Sequence, residues 1–151
     1  IDEIAGYGGT DLVCYRASRP AELAARQAAA WQPLLDWLEA GHGARLDCVE
    51  GLLPVDQPEG SLAAIRAAVG AFDDFSLAAV HLATGSAGSV VIALALAEGE
   101  IDPEAAFAAA YVDELFQAER WGEDAEAAGR WEKIRADLQA AADFIALCRA
   151  G

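Results

Sequence analysis

Between Phe75 and Ala97 the chain carries no Asp, Glu, Lys or Arg, and no other feature limits the fold as much. A charge-free stretch of that length has to leave water, either in a bilayer or in the middle of a protein. Ser76, His81, Thr84, Ser86 and Ser89 lie within it, Asp73, Asp74, Glu98 and Glu100 flank it, and neither end has the Lys or Arg that anchors a span. The stretch therefore reads as a central buried helix, or as two helices broken at Gly85.

The rest of the chain supplies helices to wrap it. Ser18 and Pro20 mark a start, Glu22 stands in the first turn, and Leu23, Gln27, Trp31, Leu34 and Leu38 recur at helical steps until Gly41-His42-Gly43. Pro33 inside that pattern predicts a kink or two stacked segments. From Ser61, read as an N-cap, Leu62, Ile65, Val69 and Phe72 share one face. Asp102-Pro103-Glu104 opens a helix predicted to run through Tyr111 and Leu115 to about Arg120. Beyond Gly122, the positions Ala127, Trp131, Ile134, Leu138, Ala141, Ile145 and Cys148 form the seam of a long helix.

Near the N-terminus, Gly6-Tyr7-Gly8-Gly9 reads as a flexible turn and Leu12-Val13-Cys14-Tyr15 as a strand, which the alternating run Arg45–Glu50 can pair. No repeat or linker divides the chain. The expected fold is mainly α, a single helical domain over residues 1–151 with about five or six helices and a small two-stranded β element near the N-terminus.

A formal charge of −15 over 151 residues repels phosphate backbones and anionic headgroups, which excludes nucleic acid and membrane insertion as expectations. Cys14, Cys48 and Cys148 are odd in number and lack a C-x-x-C pair, so neither a disulfide framework nor a zinc knuckle is expected, and a reducing, cytoplasmic setting fits. The opening Ile1-Asp2-Glu3-Ile4 has no methionine, basic stretch or apolar signal core; it predicts no signal peptide and suits a piece of a longer protein.

The search for chemistry returns little. His42 lies between glycines, and His81, in the apolar segment, reads as a satisfied core histidine. Thr84-Gly85-Ser86-Ala87-Gly88-Ser89 matches neither a phosphate loop nor a nucleophile elbow and reads as close helix packing or a break. Glu104, Asp113, Glu114 and Glu119 share a helix without a Glu-x-x-His pair, so they read as a solvated acidic face. Cys48 or Cys148 as a nucleophile needs an electropositive setting, where the sequence offers acids. No catalytic residue, metal or cofactor is expected.

The segment Thr10-Asp11-Leu12-Val13-Cys14-Tyr15-Arg16, followed by Pro20, Gln27, Trp31, Pro33, Leu34 and Trp37, resembles the assembly chaperones of the F-type ATP synthase catalytic head found in mitochondria and alphaproteobacteria. The resemblance continues through Val55-Asp56-Gln57-Pro58, Gly85-Ser86, Ala93–Gly99, Asp113–Gln117 and Trp121–Ala127 to Arg130, nearly the whole chain. It implies a protein that binds the unassembled alpha subunit and shields its interface until the beta subunit displaces it, with no nucleotide chemistry of its own. Members carry a small β-rich N-terminal domain, most of which this chain lacks. Glu123 follows Gly122 directly, without the insertion of the mitochondrial members, as in the bacterial branch.

On that reading the partner-binding residues are Asp124 and Glu126 first, with Glu123, Trp121 and Glu114. Carboxylates at the start of the last helix can set register against a basic patch, and Asp124 can equally be an N-cap. Trp121 is either a rim anchor or the lid of the core, and the core is favoured. The expected state is a monomer. The competing readings are an acidic helical adaptor for another basic protein and a carboxylate-dependent metal enzyme, which Glu114→Gln tests.

Overall fold

The computed structural model describes residues 1–51 and 53–150. Eight helices follow in order among them: α1 Asp2–Gly6, α2 Ala21–His42, α3 Glu59–Gly70, α4 Asp74–Ala87, α5 Val90–Ala97, α6 Pro103–Ala110, α7 Val112–Trp121 and α8 Ala125–Ala150. Two short strands, β1 Tyr15–Arg16 and β2 Val49–Glu50, pair in parallel near the N-terminus, with Tyr15 opposite Val49.

The charge-free stretch makes the centre. Every residue of α5 is buried, and Val90, Val91, Ile92, Ala93, Leu94 and Ala95 are 0% exposed. Helices α2, α4, α6 and α8 pack around it. Removing each of its larger side chains from water contributes about 1.5–3 kcal/mol, which makes this short helix the nucleus on which the others converge. Among the described residues no helix is long and apolar enough to cross a membrane.

The stretch is broken, but at Gly88-Ser89 and not at Gly85. Gly88 adopts φ 69°, ψ 21°, and its N–H donates to the Thr84 carbonyl at 2.8 Å, the left-handed helix ending that glycine adopts without strain. Ser89 then caps α5, accepting from the Ile92 N–H at 3.0 Å. Asp11 decides between the two glycines. Its buried carboxylate accepts from the Ser89 hydroxyl at 2.5 Å and from the Val91 N–H at 3.2 Å, holding the start of α5.

The same carboxylate accepts from the Val13 N–H, so Leu12–Cys14 winds into a 3-10 turn and the strand expected over 12–15 begins at Tyr15. The expected turn at Gly6–Gly9 is also helical, a continuation of α1 followed by the 3-10 turn Tyr7–Gly9. Pro33 does not divide α2, which is continuous. It lies on the exposed face, beside an exposed Ala29 whose carbonyl can turn to water. Ser61 is not a cap: α3 starts at Glu59 after Pro58, and the buried Ser61 hydroxyl donates to the Arg45 carbonyl at 2.5 Å.

The helix expected over Asp102 to Arg120 is two, α6 and α7, meeting at Tyr111 with φ −117°, ψ 28°. The Tyr111 ring stacks on Phe107 with centroids 5.1 Å apart, and packing there outweighs helical continuity. His81 is not a core histidine. It stands on the outer face of α4, its side chain 53% exposed and 3.3 Å from Glu3, while Ala79, Val80 and Ala83 take the inner face. In α8 the expected seam is buried at Trp131, Leu138, Ala141 and Ile145.

Candidate functional site

Helix α7 stops at Trp121 because Gly122 takes φ 91°, ψ 158°, a conformation that L side chains rarely adopt. The Gly122 N–H still closes the last turn on the Ala118 carbonyl at 2.9 Å. Two residues later Asp124 Oδ1 accepts from the Ala127 N–H at 2.6 Å and starts α8. The three-residue elbow sets α7 and α8 around a groove of 350 Å³.

Glu114, Trp121, Glu123 and Asp124 all line this groove, with Trp131 beside them. Trp131 is buried, at 6% exposure, whereas Trp121 is 81% exposed. The favoured reading of Trp121 as a lid of the core is therefore wrong, because the elbow throws its ring outward and Trp131 fills the interior in its place. Glu126 does not line the groove; it lies in the first turn of α8, exposed, with Arg130 Nη1 3.5 Å away. Asp124 is an N-cap, so its charge and its helix-starting role coincide at one side chain.

The groove is mainly acidic, with Arg130 as a cation on its lining. Among the described residues six of the chain's ten cations form ion pairs: Arg26 with Glu22 and Glu119, Arg120 with Glu22, Arg130 with Glu126, Arg135 with Glu104, Lys133 with Asp137 and Arg66 with Asp2. Arg26 of α2 also lies over the Phe116 ring of α7, at 5.2 Å, and so fastens the two helices, while Arg120 lies over the same ring from within α7, at 4.6 Å. Glu114 and Glu123 form no ion pair among the described residues. Burial first, and then the Glu114 carboxylate, hold the Tyr111 phenol above its ordinary pKa, with Arg130 opposing. The groove thus offers an exposed aromatic ring edged by free carboxylates, a surface suited to a cationic, partly apolar segment.

The acidic residues of α6 and α7 serve separate partners. Glu104 meets Arg135 at 3.3 Å, Asp113 accepts from Gln27 Nε2 at 2.7 Å and Glu119 pairs with Arg26. Among the described residues no three His, Cys, Asp or Glu side chains are grouped to hold a metal.

The residues that sequence reasoning valued only as a pattern prove to be ties. Buried Gln27 accepts from the Ala17 N–H at 2.8 Å while donating to Asp113, which joins the exit of β1 to α2 and α7. Trp31 Nε1 donates to the Ala109 carbonyl at 2.7 Å. Gln57 brackets the Asp47 backbone, accepting from its N–H at 2.7 Å and donating to its carbonyl at 2.9 Å. The available signal was a lone amide or carboxylate in an otherwise apolar setting, which has to find partners when buried.

Residues 1–39 match the family described as ATP12 chaperone protein. The fold matches the crystal structure of Atp12 from Paracoccus denitrificans with a TM-score of 0.93 and 39% identity, covering 96% of this chain and 62% of that one. It matches the Atu1473 protein from Agrobacterium tumefaciens, described as a candidate chaperone, with a TM-score of 0.85 and 41% identity, covering 95% of this chain and 54% of that one. This chain therefore spans less than two thirds of the length of either protein. Identity at this level over nearly the whole chain, joined to one architecture, is common descent: the chain belongs to the ATP12 chaperone family.

Proposed function

We propose that this protein is an assembly chaperone of the F-type ATP synthase catalytic head, which holds the unassembled alpha subunit and shields its interface until the beta subunit displaces it. The observation that carries the reading is Trp121, 81% exposed on the lip of the elbow groove, with Glu114, Glu123 and Asp124 around it. A subunit waiting for its neighbour exposes an apolar surface that aggregates, and its holder has to cover that surface and still let go. An aromatic anchor edged by carboxylates gives moderate affinity with register set by charge. We assign the protein no catalysis and no cofactor, and we place it as a monomer in the bacterial cytoplasm, with the helical domain working beside a β-rich N-terminal domain of the kind the family carries.

The test is binding to isolated alpha subunit, with beta subunit added as competitor. The expected result is capture of alpha, release on addition of beta, and at least tenfold weaker capture by a Trp121→Ala, Glu123→Lys variant with an unchanged melting curve. Indifference to the alpha subunit, or equal capture by the variant, counts against the reading.

A further inference from the structure

Cys14 and Cys48 stand 34 positions apart in the sequence and meet at the small sheet. Strands β1 and β2 run parallel with Tyr15 opposite Val49 and Arg16 opposite Glu50, and Cys14, the last residue of the 3-10 turn, and Cys48 each immediately precede these paired strands, so both enter the sheet at the same end.

Two side-chain observations agree with that placement. Arg16, two residues after Cys14, places Nη2 3.8 Å from Cys48 Sγ, and it is held there by Nε donating to the Val13 carbonyl at 3.0 Å. The Cys14 thiol is held far above its ordinary pKa by burial first, by the Asp11 carboxylate next and then by the Cys48 thiol itself, an influence that acts only between neighbours.

The two thiols differ in access. Cys14 is 0% exposed and Cys48 is exposed. A reagent therefore meets Cys48 first, with Arg16 Nη2 beside its sulfur. The fold brings Arg16, distant in sequence, to Cys48.

We propose that Cys14 and Cys48 are a redox-active thiol pair, entered through Cys48 by a small-molecule disulfide of the glutathione type and closed by Cys14. Cys48 loses its proton to solvent, and its thiolate attacks one sulfur of the reagent. The reagent's S–S bond breaks, one thiolate departs and takes up a proton, and a mixed disulfide remains on Cys48. Cys14 then attacks Cys48 Sγ and expels the second thiolate, which accepts the Cys14 proton. Two cysteine thiols are oxidised by two electrons, and one disulfide is reduced to two thiols. Closure joins the segment that carries Asp11, the support of α5, to the strand that leads toward α3, and restrains the unfolded chain through the loop it closes.

The experiment uses the full chain with Cys148→Ser, which leaves two of the three free cysteines, and oxidised glutathione as the reagent. The expected product has no titratable thiol, retains no glutathione, has lost two hydrogens in mass, and yields a proteolytic fragment in which Cys14 is joined to Cys48. It unfolds at a higher temperature than the reduced chain, and a reductant reverses the shift. With Cys14→Ser the product retains one glutathione on Cys48, and with Cys48→Ser uptake falls at least tenfold. A stable glutathione adduct on the chain that has both cysteines, or a Cys48–Cys48 dimer as the main product, overturns the proposal; the fragment map decides this even if Cys14→Ser fails to fold.

Discussion

Asp11 concentrates more of this fold than any other side chain. It is 0% exposed, and burial, outweighing its hydrogen bonds, raises its pKa from 3.8 to about 6. The folded state therefore holds the proton more tightly than the unfolded chain. The corresponding stability is fully present below about pH 4 and is lost as the pH rises through about 6, to the extent of about 3 kcal/mol. Urea titrations should show wild type gaining that much on an Asp11→Asn variant as the pH falls from 7 to 4, and a constant difference would refute the assignment. Asp11→Ala, which strands the Ser89 hydroxyl and the Val13 and Val91 amides, is expected to lose about 3 kcal/mol or more at neutral pH. At the elbow, Asp124→Asn keeps an N-cap and removes a charge. It should melt within about 0.5 kcal/mol of wild type yet capture less alpha subunit, whereas Asp124→Ala costs about 1 kcal/mol of stability. Asp124 was legible in the sequence as a cap, and the structure shows it capping α8. Asp11 was legible only as one letter of a family pattern, because its role depends on Ser89 and Val91, which reach it only in the folded chain.

At the scale of elements, helix content and most starts follow from local chemistry, and the breaks do not. Asp102-Pro103-Glu104 opens α6 as expected, with Asp102 accepting from the Ala105 N–H at 2.7 Å. Gly85 and Gly88 were equally good places to end α4, and the choice of Gly88 rests on the contact of Ser89 with Asp11. This predicts opposite signs for one substitution at two sites. Gly85 lies inside α4, exposed, with open space for a methyl group, so Gly85→Ala should stabilise by up to about 1 kcal/mol. Gly88 has room as well but sits at φ 69°, so Gly88→Ala should destabilise by about 1 kcal/mol. Thermal melts of the two variants, measured side by side, check the pair, and like signs would place the break wrongly. The division at Tyr111 was illegible for a similar reason: ring stacking on Phe107 overrides a sequence that favours helix throughout.

For the molecule as a whole, a charge of −15 with its cations largely paired internally gives a surface that steers basic partners. Association with alpha subunit should slow several-fold between low salt and physiological salt, with a smaller change in dissociation, as stopped-flow mixing can measure. A rate independent of salt would remove charge from the mechanism. The sequence by itself determined that the chain is helical, that its middle is buried, and which family it resembles, because composition, periodicity and spaced motifs are local properties. Only the tertiary structure decided that Trp121 faces solvent, that Glu126 stands outside the groove, that His81 is on the surface, and that Cys14 meets Cys48. Each of these depends on which distant segment occupies the space beside a residue, and residues equally apolar or equally charged compete for that space until the packed chain places them.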